Sequence, residues 1–352
     1  MKCLHRAFLE ALADEGNCSF EGGVLHIRDW ALRPEDIVEM AKQIDGSNPV
    51  FDDLFSGWLA DWKELQCEEA DRILEQYDQH DRFQRLVAAY TKGVLTPFVG
   101  AGLSIPSGYL GWSAFLYKIQ RDSLVSQEKI EAMLSDGFYE DAAQLLADTL
   151  GPSFDECIEN QFAIDRPIEG AVALLPHIFS GMVVTTNFDT VLERSFQDAD
   201  VAFKEILCGA ESVRFRITST EHPHMLLKLH GKADTSQGRI LTLREYNTHY
   251  ADASVLTNTV KLLYDRNHLL FLGCSLSGDR LLSAFKDYVA SQGHDNLLKH
   301  YAFLPSPESH PQRVTRREQL ASYHIYPIWY PPETHDESIT ALLIKLHKDA
   351  QC

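Results

Sequence analysis

The sequence predicts an α/β protein: a Rossmann-like, doubly wound parallel sheet with a helical insertion and a mostly helical N-terminal extension. Four short apolar runs each end in glycine or polar residues, as buried parallel strands do. Segments with apolar residues at helical spacing separate these runs, which is the alternation expected of strands joined by crossover helices. Because open α/β sheets bind ligands at the carboxyl ends of their strands, the four run ends are the candidate site.

The first predicted strand covers residues 94–99 and breaks directly into a glycine-rich turn. That turn contains Gly100, Ala101, Gly102 and Ser104. Glycine tolerates a positive φ and lets backbone N–H groups approach a ligand closely, and the usual ligand of such a turn is a dinucleotide pyrophosphate. Small residues also occur in such turns for packing alone, so the motif needs support from the rest of the chain.

Three further apolar runs supply that support, at residues 182–184, 225–229 and 268–272. The residues that follow them are Thr186, Asn187, Phe188 and Asp189, then His230 and Gly231, then Gly273 and Ser275. Asn187 and Asp189 also suit the capping of a helix that begins near Thr190. Turn chemistry alone does not account for polar residues at all four strand ends, so we expect a shared ligand site.

The remaining segments complete a two-part organisation. Residues 1–85 form a predicted extension and residues 86–352 a predicted nucleotide-binding domain, with a helical insertion at about residues 109–178. Helices are predicted at residues 1–13, 34–44, 50–62, 68–90, 112–120, 127–134, 139–150, 154–161, 168–175, 279–290 and 336–348, and two final strands at 300–304 and 323–329.

Composition excludes several function classes. The formal net charge of −19 disfavours direct nucleic-acid binding, and the sequence lacks the long apolar stretch of a membrane helix, so we expect a cytoplasmic protein. The seven cysteines form no CxxC pair, and we predict no metal site. Residues 1–90 hold 19 acidic and 9 basic side chains, which fits either a solvated helical face or a surface that docks a basic partner or neighbouring subunit.

The ordered motifs resemble those of the sirtuin superfamily. Its members carry a Gly-Ala-Gly-x-Ser turn, a Thr-Gln-Asn-Ile-Asp segment, a His-Gly pair and a Gly-Thr-Ser strand end. This chain has the turn at residues 100–104, Thr-Thr-Asn-Phe-Asp at 185–189, His230-Gly231 and Gly-Cys-Ser at 273–275. The Thr-Thr-Asn-Phe-Asp form, and Trp112 four residues after Gly108, are most similar to the bacterial NAD-cleaving branch found in anti-phage defence.

The resemblance implies that NAD is the substrate and assigns a role to each site residue. Asn187 would orient the attacking water, His230 would act as general base with a pKa near the working pH, and Asp189 would clamp the nicotinamide carboxamide together with the backbone of Phe188. The implied NAD-binding positions are Gly100, Ala101, Gly102, Ser104, Thr186, Phe188, Gly273 and Ser275. The loop at residues 105–109 departs from the deacylating members, which leaves the nicotinamide lid undefined.

The predicted function is hydrolysis of NAD to nicotinamide and ADP-ribose by an effector of bacterial anti-phage defence. The resemblance also implies a homo-oligomer and a gate, such as a regulatory protein partner encoded nearby (for example an ATPase or a nucleotide-sensing subunit) or a nucleotide signal. One alternative is a non-catalytic NAD or ADP-ribose sensor. Another is a protein deacylase or ADP-ribosyltransferase, which the absence of cysteines at residues 231–268 disfavours, because deacylating sirtuins carry a four-cysteine zinc module there.

Overall fold

A seven-stranded, all-parallel sheet forms the centre of the molecule in the computed structural model. The structure describes residues 4, 7–8, 10–11, 18–21, 24–27, 30–33, 49–209, 211, 224–250, 255–276, 280–292 and 297–351. The sheet strands are β4 (Leu95–Val99), β5 (Val183–Thr185), β6 (Glu205–Cys208), β7 (Met225–Lys228), β8 (His268–Leu272), β9 (His300–Pro305) and β10 (Ile325–Tyr330), in the order β10-β9-β8-β4-β5-β7-β6. The predicted α/β class and parallel sheet are confirmed.

Both faces of the sheet are buried. Successive residues of a strand point to opposite faces, so each strand contributes apolar side chains to the packing on both sides. In β8, Leu270 and Leu272 belong to one apolar cluster, while Leu269 and Phe271 belong to a second. Each cluster is covered by helices, which accounts for the nearly continuous apolar sequence of the strands and confirms the doubly wound arrangement.

The helices have the following bounds in chain order. They are α1 (Pro49–Gln76), α2 (His80–Thr91), α3 (Trp112–Gln120), α4 (Gln127–Ser135), α5 (Tyr139–Leu150), α6 (Ser153–Phe162), α7 (Leu175–Ile178), α8 (Val191–Asp198), α9 (Leu243–His249), α10 (Val255–Arg266), α11 (Arg280–Gln292), α12 (His310–Ala321) and α13 (His335–Asp349). The insertion helices α3 to α6 and the later α11 and α13 lie close to the predicted bounds. Residues 168–175 instead contain a 3-10 turn at Ala171–Leu174 that leads into α7.

The N-terminal region differs from its prediction in detail. A three-stranded antiparallel sheet, β1 (Cys18–Glu21), β2 (Val24–Ile27) and β3 (Trp30–Leu32), precedes α1 and was not predicted. The predicted helix at 34–44 lies outside the described residues. The break predicted at residues 63–67 is wrong, because these are good helix formers and α1 continues through them to Gln76.

The helical segment is instead interrupted between Gln76, where α1 ends, and His80, where α2 begins. The contacts of Gln79 account for this interruption. Asp78 has a positive φ of 49°, and the buried Gln79 amide then bonds the edge strand β10. Its Nε2 donates to the Trp329 carbonyl at 2.6 Å, and its Oε1 accepts from the Trp329 N–H at 2.9 Å. The side chain therefore replaces a missing strand partner at the sheet edge.

The predicted domain boundary at residues 85/86 stays a prediction. The C-terminal half of α1 packs on α13, and Cys67, Ala70, Ile73 and Leu74 belong to the same apolar cluster as the sheet residues. Farther towards the N-terminus, Phe8, Leu32, Leu54 and Trp58 form a small separate cluster.

Strand order places a topological switch point between β4 and β8. The chain leaves β4 towards β5, β7 and β6, and then returns to the other side of β4 to form β8. Crevices at such a point, outside the carboxyl ends of the strands, are where open α/β sheets bind ligands.

Candidate active site

The register of the parallel strands brings the predicted site residues to one edge of the sheet. Thr185 of β5 pairs with Lys228 of β7. Asn187 and His230 each lie two residues further along the chain, so they occupy equivalent positions beyond the ends of adjacent strands. Neighbouring strands lie about 4.8 Å apart. Val99 pairs with both Thr185 and Leu272, which sets the glycine turn between the ends of β5 and β8.

Backbone packing of the two strand ends requires glycine at three positions. The Gly100 N–H donates to the Leu272 carbonyl at 2.8 Å, and the Gly102 N–H donates to the Gly273 carbonyl at 2.9 Å. A Cβ on Gly100 would lie 2.6 Å from the Gly273 oxygen, and one on Gly273, whose φ is +65°, would lie 2.4 Å from the Leu103 nitrogen. We name these contacts the glycine interlock; pyrophosphate binding by this turn stays a prediction.

Asn187 lies at the centre of a hydrogen-bonded group of buried side chains. Its side chain is 4% exposed, and its Nδ2 donates to the Ser104 hydroxyl at 3.1 Å. Its backbone N–H donates to the Thr185 hydroxyl at 3.0 Å, and that hydroxyl donates to the Val99 carbonyl at 2.8 Å. Asn187 is thereby fixed to both β4 and β5.

The Asn187 amide oxygen has no partner. Its Oδ1 is buried and accepts no hydrogen bond, although the other half of the amide is bound. Buried acceptors are nearly always satisfied in folded proteins, so an orphaned one at a strand end needs an explanation. A ligand group with an O–H or N–H would satisfy it.

Asp189 combines a structural role with an unusual electrostatic environment. Its Oδ1 accepts from the Val191 N–H at 3.1 Å, so the side chain caps α8, as one of the sequence alternatives expected. Burial raises the pKa of the carboxyl, while nearby Lys228, this N–H and a hydrogen bond with Ser104 oppose the rise. Ser104 therefore acts on both side chains: it accepts from the Asn187 amide, and it helps to lower the pKa of the Asp189 carboxyl.

Lys228 is a further residue of this group, and the sequence interpretation missed it. The ammonium of this 1% exposed side chain donates to the carbonyls of Asp189 at 2.5 Å and Phe188 at 3.4 Å, and pairs with the Glu193 carboxylate at 2.7 Å. It holds the backbone that follows Asn187. A single lysine inside an otherwise apolar strand was the available signal, because buried charges are paired.

His230 is buried and hydrogen-bonded rather than open to solvent. It is 2% exposed, and its Nε2 lies 2.8 Å from the Tyr250 hydroxyl. Its ring also makes edge contacts with Tyr246 and Tyr250, with centroids 5.4 Å and 5.9 Å away. Burial lowers the pKa of the imidazole to about 3, so the expected pKa near the working pH is wrong for this state.

The other predicted positions divide into partly exposed and packed residues. Ala101, Gly102, Thr186 and Gly273 are half-buried, and Ser275 is exposed on the β8 side of the edge. Phe188 is buried against the insertion, with its ring centroid 5.0 Å from that of Trp112 and 6.1 Å from that of Phe162. The Phe188 ring therefore packs in the core, and a role of its backbone in NAD binding stays a prediction.

A separate cavity of about 440 Å³ lies between α5, α6 and α9. Its lining contains none of the strand-end residues. Within the described ranges, no cluster of three or more His, Cys, Asp or Glu side chains has the geometry to hold a metal ion. Over the same ranges, no helix has the length and apolar character needed to cross a membrane.

Comparison with protein families agrees with this geometry. Residues 181–328 match the family model described as a SIR2-like domain. This region is a SIR2-like domain. The match includes Asn187, Asp189, His230 and Gly273, whereas the glycine turn at residues 100–104 lies outside it.

Two curated relatives extend the similarity of the SIR2-like domain. "Defense-associated sirtuin 2" of Bacillus subtilis is 24% identical over 219 residues, which cover 61% of this chain and 21% of the relative. "NAD(+) hydrolase ThsA" of Enterococcus faecium is 23% identical over 237 residues, which cover 64% of this chain and 46% of the relative. The chain therefore spans less than half the length of either relative.

Solved structures add no argument about function. The unliganded α-L-fucosidase AlfC from Lactobacillus casei aligns at 10% identity over 75% of this chain and 98% of that one, with a TM-score of 0.22. A score this low does not indicate a shared fold.

Proposed function

We propose that this protein hydrolyses NAD to nicotinamide and ADP-ribose at the carboxyl edge of its sheet. The observation that carries the proposal is the buried Asn187 amide, which is fixed by Ser104 and keeps an unpartnered oxygen. A neutral amide suits this chemistry, because it accepts a hydrogen bond from water without cancelling the cationic character that develops on the ribose. The name of the Enterococcus relative, an NAD(+) hydrolase, supports the same substrate.

The reaction depends more on the positioning of the water and the substrate than on acid catalysis. Water attacks the anomeric carbon while the bond to nicotinamide breaks, its electron pair leaves with the neutral nicotinamide, and the water proton is released. Asn187 would hold the water and Asp189 the carboxamide, in a site from which bulk water is excluded. Neutral His230 would accept the proton once the substrate has displaced the Tyr250 hydroxyl from its Nε2.

The biological role that we propose is NAD depletion in the cytoplasm during anti-phage defence. The relative named as a defence-associated sirtuin supports this role. An ungated activity would drain the NAD of its own host, so a homo-oligomer, a nucleotide signal or a regulatory protein encoded nearby is expected to control it. The acidic N-terminal residues are our candidate surface for that control.

Nicotinamide release from NAD tests the proposal. Wild-type protein, alone and together with the products of adjacent genes, should release nicotinamide under at least one of these conditions. Asn187→Ala and His230→Ala should each lower turnover by about 10²-fold or more. The matched controls are the exposed Asn160→Ala and His310→Ala, which should retain activity.

Two results would contradict hydrolysis. One is the absence of nicotinamide under every condition, and the other is wild-type turnover in Asn187→Ala. Chromatography of the reaction would also separate ADP-ribose from a cyclic product.

A non-catalytic sensor of NAD or ADP-ribose is the second candidate, and the state of His230 favours it. An imidazole with a pKa of about 3 and an occupied Nε2 is a poor base. A sensor would be stabilised thermally by NAD and would change its assembly without any turnover. Calorimetric binding measured beside nicotinamide release distinguishes the two functions.

A further inference from the structure

We propose that the cavity between α5, α6 and α9 is a second ligand site, which binds a small molecule through a phosphate or carboxylate group held by Arg239. The cavity is lined by residues 144–155 and by residues 236–249 of the segment that follows His230. None of the strand-end residues line it. The binding proposal is independent of NAD hydrolysis.

Arg239 is the observation on which this proposal depends. Its side chain is 2% exposed, yet only one of its nitrogens is paired, with the Asp155 carboxylate of α6. The Nε and Nη1 atoms are buried without any hydrogen-bond partner. Leaving guanidinium N–H groups unbound in the protein interior is costly, and an oxyanion is the group that they bind best.

Two acidic residues of the cavity, Glu245 and Asp148, are bound by groups other than Arg239. Glu245 accepts from the Leu241 and Thr242 N–H groups at 2.9 Å and 2.8 Å and so caps α9. Asp148 accepts from the exposed Arg244 at 3.1 Å and from Gln144 at 2.9 Å. Both carboxylates are therefore bound within the protein, which leaves Asp155 as the carboxylate of the lining that pairs with Arg239.

The size and lining of the cavity fit a small organic anion. Its volume of about 440 Å³ lies within the range of ordinary ligand pockets. The lining includes the apolar Ala147 and Phe154 together with the hydroxyl-bearing Ser236, Thr242 and Thr248. One buried cation, several hydroxyls and an apolar wall are what a phosphorylated or carboxylated metabolite requires.

The backbone of this segment connects the cavity to His230. The Ile240 N–H donates to the His230 carbonyl at 3.0 Å, and Gly231, with a φ of +85°, packs directly against the Arg239 backbone. Tyr246 of α9 and Tyr250, directly after it, contact the His230 ring. A ligand on Arg239 thus adds contacts to the segment that positions the imidazole.

The test is direct binding to the full-length protein. Inorganic phosphate, AMP and malate are titrated separately by calorimetry, so that the three arms distinguish a free phosphate, a phosphate monoester and a carboxylate. Hydrogen exchange measured with each probe locates the binding, and we expect protection of the peptides covering residues 144–155 and 236–250.

Two variants of one ion pair distinguish binding from a structural role. Arg239→Gln should weaken binding of the probe about tenfold or more, because charge-assisted hydrogen bonds are lost. Asp155→Asn keeps the guanidinium and removes its competing carboxylate, so it should bind at least as tightly as the wild type. A purely structural pair predicts equal losses in both variants, and this result would overturn the proposal.

Asn187→Ala provides the control for the strand-end site. Binding that disappears in Asn187→Ala but survives in Arg239→Gln would assign the probe to the strand ends and overturn the proposal. Failure of all three probes to bind the wild-type protein would overturn it as well. Nothing in this test measures NAD turnover. The binding proposal can therefore hold when the proposed hydrolysis fails, and the hydrolysis can hold when the binding proposal fails.

Discussion

At the scale of the residue, the candidate site is a group of three buried side chains, those of Ser104, Asn187 and Asp189. The Ser104 hydroxyl accepts from the Asn187 amide and helps to lower the pKa of the Asp189 carboxyl, while the buried Asn187 oxygen has no hydrogen-bond partner. The sequence predicted all three residues, because each follows a strand end. It did not predict their hydrogen bonds, which depend on the sheet register that brings β4 beside β5.

Ser104→Ala tests whether the Ser104 hydroxyl positions Asn187. We expect a loss of about 1–3 kcal/mol in the free energy of unfolding, because the buried Asn187 amide loses its acceptor. If the chain hydrolyses NAD, we also expect kcat to fall about 10- to 100-fold. Denaturant titration and nicotinamide release measure the two effects.

Ser195→Ala is the matched control from outside the site. Ser195 of α8 is also buried, and its hydroxyl donates to the Val172 carbonyl at 3.2 Å. It should lower stability by a comparable amount and leave kcat unchanged. Equal losses of kcat in the two variants would argue against positioning by Ser104.

His230 makes a prediction about pH. Its folded pKa of about 3 lies below the unfolded value of 6.5, so the unfolded state binds more protons between these values and stability falls as the pH drops below 6.5. His230→Gln keeps an amide for Tyr250 and removes the titration. Between pH 7 and pH 5 the wild type should lose about 2 kcal/mol more than this variant.

Chemical denaturation at several pH values measures this difference. The raised pKa of Asp189 acts in the opposite direction, but it is present in both proteins and cancels. Parallel pH profiles would show that the imidazole is not buried in its neutral form.

At the scale of the element, β7 carries more of the site than its apolar sequence indicates. It brings His230 into register with Asn187, and its last residue, Lys228, holds the backbone carbonyls of the β5 loop. A strand with one internal cation is therefore both a core element and a support for the neighbouring strand end.

Lys228→Met should be strongly destabilising, by about 3 kcal/mol, because it leaves the Glu193 carboxylate and two carbonyls without their partner. Adding Glu193→Met should recover part of that loss, which a double-mutant cycle from thermal or denaturant unfolding would detect. The exposed Lys129→Met is the control, with an expected change within about 0.5 kcal/mol. Strict additivity of the two site substitutions would contradict the ion pair.

At the scale of the whole molecule, the apolar runs of the sequence predicted six of the seven strands of the parallel sheet but not its remaining strand or all of the helices around it. Strands buried on both faces are continuous apolar runs, which is why β4, β5, β7 and β8 were predicted. The edge strand β6 is only partly buried, and its short run, EILC, gave no such signal. The helices α9 and α10 were also missed, although α9 carries Tyr246, which contacts His230, and part of the cavity wall.

The packing of α1 predicts which fragments of the chain fold. A chain beginning at residue 86 loses Ile73, Leu74 and Phe83 from the central cluster, each worth about 1.5–3 kcal/mol of burial, and the Lys345–Asp71 ion pair at 3.0 Å. We expect it to be unfolded or aggregated, whereas a chain beginning at residue 49 keeps these contacts and folds. Circular dichroism and thermal unfolding of both fragments test this, and a cooperative transition at the wild-type temperature in the shorter one would contradict it.

The glycine interlock has a consequence for synthesis on the ribosome. The turn at residues 100–104 is closed by backbone from Gly273, which is translated much later. An incomplete chain therefore has the turn at the end of β4 but lacks Gly273, against which the turn packs. Such a chain can be nascent, or it can be a fragment made by a nonsense codon or a protease. If the chain depletes NAD as proposed, incomplete copies would lack this activity, so that the host is not poisoned by its own unfinished protein.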